Sequence, residues 1–497
     1  MINNVDENLE IILNQNIELF HDEKQNPWIR IDDEGVLKIY PCDGIKTALW
    51  CRSVLYQTLE KNPGRESIKS IIELLKAKAL FDGPEHQLHN RVAWYKEKIL
   101  YDLTNSTWST ISISKDGWEV TKINHEPILF KRYTHHKSQV DPQLGGDVRR
   151  ILDFLNITDE DQKILFLVWI ISCFIPGIPH PLAYVYGPQG SAKSSVSRIT
   201  RELVDPSQLG IVTFPENNNE LIQQLEHNWF SFFDNVSYVD QKLSDCLCKA
   251  ITGIGVSKRE LYTNDGDVIY NFKRCIGING INLDGTQPDL LERSILFPLK
   301  RMDDSQRISE EKLFKGFQEE KALILGAIFT AVSNSMKIKD QIVLGSSPRM
   351  ADFAIWGCAI AKSIGYSQEQ FLNAYNRNIE SQTDEAINNS DIAVTIRDFM
   401  SDKKTWEGTP RELYQVLSES LWNERSISRL ELPKNEVILS KKINQLEVPL
   451  GKIGITIERE RSTHRTIRLI NHKYSTTVTN DESDSESFYD DPGQIPF

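Results

Sequence analysis

The sequence predicts an α/β core preceded by an α+β module and followed by a compact unit of helices that ends in a β-hairpin. Three observations predict it. The chain has 497 residues, more than one ordinary hydrophobic core encloses. From about residue 147 to about 300, helical and strand patterns alternate, as they do in an α/β domain. From about 390 to 470, helical apolar spacing gives way to two β-prone runs around a turn.

Taken in order, residues 1–145 form the N-terminal module. It holds a helical stretch, Ser67–Ala79, and short strands around the Lys115-Asp116-Gly117 turn. Pro142–Gly146 reads as a linker. Residues 146–385 form the core and a mostly helical extension from about 305. Its longest apolar run, Ile164–Ile178, is too short to span a bilayer and ends in Pro-Gly, so it reads as a buried helix. Residues 386–471 form the C-terminal unit, and residues 472–497 an acidic tail expected to be disordered.

Composition narrows the function classes. Hydrophobic residues make up 40% and charged residues 26%, the balance of a soluble globular protein. The seven cysteines include no CxxC pair, since Cys246 and Cys248 are only two apart, which leaves no zinc ribbon or disulfide framework. With no signal-peptide pattern in the acidic N-terminus, the expected compartment is the cytoplasm, with no membrane association. A net charge of −13 confines any nucleic-acid site to a lined channel or a basic subdomain.

The strongest local signal is Gly187-Pro188-Gln189-Gly190-Ser191-Ala192-Lys193-Ser194-Ser195. An apolar strand, Leu182–Tyr186, precedes it and a helical stretch, Ser195–Val204, follows, which is the context of a P-loop. Backbone N–H groups of such a loop and of the helix start cradle phosphates. Lys193 would reach the β- and γ-phosphates of ATP and Ser194 would bind Mg2+. The glycine usual before the lysine is Ala192, which costs little if its φ is negative. A second apolar strand, Trp229–Phe233, runs into Asp234, a Walker B carboxylate that would complete the Mg2+ shell beside Ser194. The next residue is Asn235, where a glutamate base usually stands; an amide orients water but is a poor base. A third strand, Cys275–Ile278, leads to Asn279, placed to sense the γ-phosphate or simply to make an Asn-Gly turn. Arg293 precedes the strand-like ILFPL and suits an arginine finger acting on a neighbouring subunit, or an ordinary surface arginine. Arg349 opens a later helix as a second sensor or a surface salt bridge.

This order and spacing resemble the AAA+-like superfamily 3 helicases, and most of all the primase/helicase-type ATP-binding proteins of phages and mobile elements. The resemblance is carried by YGPQGSAKSS, FFDNVS, ITGIGVSKRELYTNDGDVIYNFKRCIGINGIN and PDLLERSILFPL, with ELFHDEKQNPW, RVAWYKEKILYDL and DGWEV upstream. It implies an AAA+-like P-loop ATPase core, a homo-oligomer, expected to be a hexamer, and a motor that translocates on DNA during replication. No primase domain is recognisable. The β-prone runs around Asn264-Asp265-Gly266-Asp267 read as a hairpin. In related hexameric motors such a hairpin enters the pore, where Lys258 and Arg259 would grip single-stranded DNA. Alternatively it is a surface hairpin.

Residues 391–470 suggest a winged helix: helices at Asp391–Met400, Pro410–Trp422 and Asn435–Leu446, then a wing of Gly454–Arg461 and Thr466–Ile470. From Pro433 to Ile470 there are eight Lys/Arg against four Asp/Glu, in an acidic chain. Lys441, Lys442, Arg459, Arg461 and Arg465 would hold duplex DNA, unless the unit docks a protein instead. The tail ends in Ile495-Pro496-Phe497 after an acidic stretch, similar to the tip of bacterial single-stranded-DNA-binding proteins, which implies host replication proteins as partners; the alternative is a solubilising tail whose last three residues are chance. The rival to a helicase is a DNA-binding AAA+ ATPase that loads, remodels or scaffolds partners without unwinding.

Overall fold

The computed structural model describes residues 2–122, 129–253, 255–259, 267–270, 273–281, 286–303, 305, 307–423, 433–461 and 465–474. The chain divides into two compact units, Met1–Asn389 and Ser390–Phe497.

The first unit opens with helix α1 (Ile2–Leu13), an antiparallel sheet of β1 (Ile17–His21), β2 (Pro27–Asp33) and β3 (Val36–Pro41), and helices α2 (Ile45–Leu59) and α3 (Arg65–Phe81). The expected Ser67–Ala79 helix lies within α3, whose buried Ile68, Ile71, Leu75 and Ala79 recur at helical spacing. Short β4 (Leu88–His89) pairs with β9 (Leu129–Phe130), and between them β5 (Val92–Tyr95), β6 (Lys98–Asp102), β7 (Ser109–Ser114) and β8 (Gly117–Lys122) make an antiparallel meander. Lys115 and Asp116 close the β7–β8 hairpin, since Ser114 pairs with Gly117.

The core follows, and its elements are α4 (Glu160–Ser172), β10 (Leu182–Tyr186), α5 (Lys193–Val204), β11 (Val212–Thr213), α6 (Asn218–His227), β12 (Phe230–Asp234) and α7 (Gln241–Thr252). After them come β13 (Val256–Arg259), β14 (Asp267–Tyr270), β15 (Cys275–Gly280), α8 (Pro288–Leu291) and β16 (Ser294–Pro298). The unit ends in α9 (Glu310–Ile338), α10 (Ala351–Ser363) and α11 (Gln368–Asn388). Five strands form one parallel sheet in the order β11-β12-β15-β10-β16. Parallel strands covered by helices on both faces read as continuous apolar runs, which is why FSFFD and LAYVY lack alternation. The apolar run from Ile164 is α4, buried on every side from Ile164 to Ser172; its Trp169 packs on Phe230 at 5.9 Å and Phe166 on Phe297 at 5.8 Å.

The meander is fastened to the core. Tyr101 donates to the Val204 carbonyl at 3.0 Å, Trp118 Nε1 to Thr330 Oγ1 at 3.0 Å and Ser333 Oγ to the Ser114 carbonyl at 2.7 Å. Val92, Ile99, Tyr101, Ile111 and Ile113 share one hydrophobic core with α4, the parallel sheet and α9. The segment expected as a linker is held as well: Gln143 N donates to the Ala322 carbonyl at 2.9 Å, and a Cβ on Gly146 would stand 2.1 Å from the Leu323 carbonyl oxygen. Only glycine fits so close to α9.

The second unit runs α12 (Asp391–Phe399), β17 (Thr405–Gly408), α13 (Pro410–Asn423), α14 (Glu436–Lys452), β18 (Ile455–Arg461) and β19 (Arg465–Asn471), with sheet order β17-β19-β18. The expected helices and wing strands are present. The short edge strand β17 was not foreseen, and α14 continues past Leu446 through Pro449, because Pro449 and Leu450 are buried with Leu439, Ile443 and Leu446. Residues 475–497, including the Ile-Pro-Phe end, lie outside the described residues.

Candidate functional site

β10 delivers Gly187 and the loop after it to the C-terminal edge of the parallel sheet, and α5 starts at Lys193. Gly187, at φ 149°, passes so close to β16's end that a Cβ would lie 2.2 Å from the Leu299 carbonyl oxygen. Ala192 lacks the negative φ at which an alanine would cost little: it caps α5 at φ 63° and ψ 28°, in the left-handed region. The loop must turn sharply there to aim the first N–H groups of α5 into it, so the strain usually avoided by glycine is carried by an alanine.

Lys193 Nζ donates to the Gly187 carbonyl at 2.7 Å and the Pro188 carbonyl at 3.0 Å. Burial pushes this ammonium below its ordinary pKa, and the Asp234 carboxylate pulls the other way. Ser194 Oγ donates to Asp234 Oδ1 at 3.2 Å, across from the end of β12. Asn279, buried in β15, stands between the loop strand and β12. Its amide donates to Ser197 Oγ at 2.6 Å and, in a short contact, to Asp234 Oδ1, while its Oδ1 accepts from Asn235 N at 2.8 Å. Asn235 itself sits at φ 54°, so the turn after β12 is pinned to β15. Ser194, Asp234, Asn235 and Asn279 are thus one hydrogen-bonded cluster, and Lys193 is bonded to the loop beside it. An ammonium, a hydroxyl and a carboxylate beside a loop of backbone N–H groups is a donor set that fits a magnesium–polyphosphate group.

The two candidate arginines lie elsewhere. Ser294 pairs with Leu182, at the start of β10, so Arg293 is at the opposite end of the sheet from the loop. Arg293 pairs with Asp289 at 2.5 Å, and Arg349 pairs with the same Asp289 at 2.5 Å and with Glu292. Arg349 therefore makes the salt bridge that was its alternative reading.

Lys258 and Arg259 lie on β13, where Lys258 pairs with Val268 and Arg259 with Asp267 of β14. The ladder is the expected hairpin, and its turn, 260–266, falls outside the described residues. In the second unit, Lys441 and Lys442 are exposed on α14. Lys441 lines a cleft of about 360 Å³ with Arg411, Glu436, Ser440 and Asn444. Arg459 donates to Glu447 of α14 at 2.8 Å, so part of its charge is used inside the unit. Arg461 of β18 and Arg465 of β19 are backbone partners in the antiparallel ladder.

Two family models match adjoining stretches of the chain. Residues 148–385 match the family described as actinomycete integrative conjugative element replication protein, and residues 392–483 match the C-terminal domain of that RepA family. The chain is a replication protein of the mobile-element kind. The boundary between the two matches falls where the two compact units divide. No curated protein matches the chain. Among solved structures, an apo A form of the NrS-1 C-terminal region aligns at 13% identity and TM-score 0.38, covering 93% of this chain and 98% of that one. A second apo structure of that region, residues 305–718, aligns at 12% identity with the same coverage and TM-score. At those TM-scores neither alignment bears on the site.

Two contributors to this replication protein's site, and one buried ion-pair centre at the far end of α5, escaped the sequence reading. Ser197, one turn into α5 from Lys193, holds the Asn279 amide. Asn156, far upstream, donates to the Ser191 carbonyl at 3.1 Å and the Lys300 carbonyl at 2.7 Å, tying the loop to the segment after β16. Asp205, directly after α5, is fully buried between Arg91 of the N-terminal region at 2.8 Å and Arg201 of α5 at 2.9 Å, and accepts from the N–H groups of Trp229 and Phe230. Burial pushes its pKa up, but Arg201, Arg91 and His136 outweigh that and hold the carboxyl well below the usual range. Asp205 was one acid among many in the sequence, and only the fold brings Arg91 to it.

Proposed function

We propose that this replication protein is an ATP-driven DNA motor, a helicase or translocase with an AAA+-like core and a winged-helix DNA-binding unit, working as a ring-forming homo-oligomer. The observation that carries the reading is the contact of Ser194 with Asp234 at the same sheet edge, with Asn279 on the strand between them. That strand order puts the polar strand end between the loop strand and the acidic strand end, as a phosphate-sensing arrangement requires.

Loop N–H groups from Gly187 to Ser195 and the Lys193 ammonium would hold ATP phosphates, and Ser194 with Asp234 would hold Mg2+. The ion would neutralise charge on the transferring phosphoryl group. Lys193 would exchange its loop carbonyls for phosphate oxygens, a charge-assisted and stronger partner. Asn279 joins Asp234 to the Asn235 backbone, so a change at the phosphate side would be felt in the turn after β12. Arg293, at the end of the sheet away from its own loop, would serve a neighbouring subunit. The β13–β14 hairpin precedes β15 directly and would carry Lys258 and Arg259 to single-stranded DNA. The order α12-β17-α13-α14-β18-β19 is that of a winged helix, with α14 as the groove helix and β18–β19 as the wing.

Asn235 favours a second reading, a DNA-bound ATPase switch that remodels partners, because it supplies no general base. Strand displacement on a forked DNA with ATP separates the two. The motor reading expects ATP-dependent release of the labelled strand; DNA-stimulated ATP turnover with no release would favour the switch.

A further inference from the structure

Residues 299–302, directly after β16, do not leave the phosphate loop; they are strapped along it. Leu299 N donates to the Tyr186 carbonyl at 2.7 Å, and Asn156 bridges the Lys300 and Ser191 carbonyls. Met302 N donates to the Gly190 carbonyl at 3.2 Å. Farther on, Glu310 at the start of α9 is ion-paired with Arg198 of α5. These ties hold residues 299–302 against the loop and Glu310 against the helix the loop opens.

Arg307 lies in the chain between Met302 and Glu310. Its guanidinium lies against Gly190: a Cβ built there would be only 2.8 Å from Arg307 Nη2. Gly190, at φ 78°, thus keeps room for a cation as well as making its turn. Among the loop's neighbours Lys193 is a point charge held from below, whereas Arg307 brings a planar fork of donors to the rim. Guanidinium is suited to two parallel hydrogen bonds with a phosphate.

We propose that Arg307 is a nucleotide-binding residue of its own chain's site, gripping the polyphosphate from the rim of the loop. The proposal rests on reading Gly187–Ser195 as a nucleotide cradle. It assigns Arg307 to binding within one chain, a role separate from Arg293 and Arg349 at the other end of the sheet. It also makes the strap a physical link from the nucleotide to α9, which packs on the N-terminal meander.

The test titrates the full chain with fluorescent ATP and ADP in the presence of Mg2+, and records melting with and without nucleotide. Wild type, Arg307→Ala, Arg307→Lys and Lys193→Ala are compared. Arg307→Ala should bind both nucleotides at least tenfold more weakly and lose most of the nucleotide-induced rise in melting temperature. Its melting without nucleotide should be unchanged, because the side chain is exposed. Arg307→Lys should recover part of the affinity, since it restores the charge and not the fork. Binding within twofold of wild type in Arg307→Ala, while Lys193→Ala loses binding, would overturn the role of Arg307 and leave the cradle standing. A fall in nucleotide-free melting that accounts for the lost affinity would also overturn it, by making Arg307 a prop. Failure of the wild type to bind either nucleotide would overturn the cradle and the proposal together.

Discussion

Replacing Asp205 by asparagine should cost the first unit several kcal/mol while leaving its shape nearly unchanged. In the native protein this carboxylate is shared by Arg91 and Arg201 and by two backbone N–H groups, with all three side chains buried. The amide keeps the volume but removes the charge, so two guanidinium groups remain buried without their counter-ion. Breaking a buried pair from one side costs about 3–5 kcal/mol. The unit spans Met1–Asn389, and at about 2.1 cal/mol/K per residue its unfolding entropy is about 0.8 kcal/mol/K. The melting temperature should therefore fall by about 4–6 °C. Calorimetry on wild type and Asp205→Asn at neutral pH reads this directly. The sign of the pH dependence follows from the depressed folded pKa: the stabilisation is complete above the unfolded value near 4 and is lost as pH falls below it. The difference between the two proteins should then shrink in acid, by about 1.4 kcal/mol per pH unit below about 4. A shift under 1 °C at neutral pH, or a difference that widens in acid, would refute the reasoning.

Three further outcomes are expected. Ala192→Gly should stabilise the protein by about 0.5–1 kcal/mol, because relief of a left-handed alanine, about 1–2 kcal/mol, exceeds the added unfolded-chain entropy, while Ala192→Val should destabilise it; urea midpoints check both. Arg293→Ala should cut ATP hydrolysis about a thousandfold with nucleotide affinity unchanged, and partial recovery on mixing with Lys193→Ala protein would mark action between subunits; full hydrolysis by Arg293→Ala alone would remove it from the site. Lys441→Ala combined with Lys442→Ala should weaken duplex binding and flatten the log-affinity against log-salt slope by about 1.8, with ATP turnover off DNA unaffected; an unaltered slope would point α14 toward a protein partner.

Much of the core was legible because its signals are local. Strand, loop and helix at 182–204 follow one another in the chain, and Asp234 and Asn279 mark the ends of two apolar runs. The helices and paired strands of the second unit were legible for the same reason: amphipathic helices and a hairpin announce themselves within a dozen residues. What the sequence hid depends on distant contacts. Ala192 looked harmless until its φ was known. The Pro142–Gly146 stretch has the composition of a linker, yet its Gly146 serves close packing on α9. The meander reads as part of a separate module, but its inward residues complete the hydrophobic core of the parallel sheet. Asn156, Ser197, Asp205 and Arg307 carry no motif, and their partners lie on other elements. The strand β17 escaped because four residues with one cross-strand neighbour give too short a pattern.

The central claim is that Lys193, Ser194 and Asp234 form a working ATP site coupled to DNA. The most direct measurement is steady-state ATP turnover by the full chain, with and without single-stranded DNA, for wild type, Lys193→Ala and Asp234→Ala. The account predicts turnover by the wild type that rises on adding DNA, and turnover at background in both variants with their melting temperatures held. Wild-type turnover at background under both conditions, or variants that hydrolyse ATP as the wild type does, would contradict it.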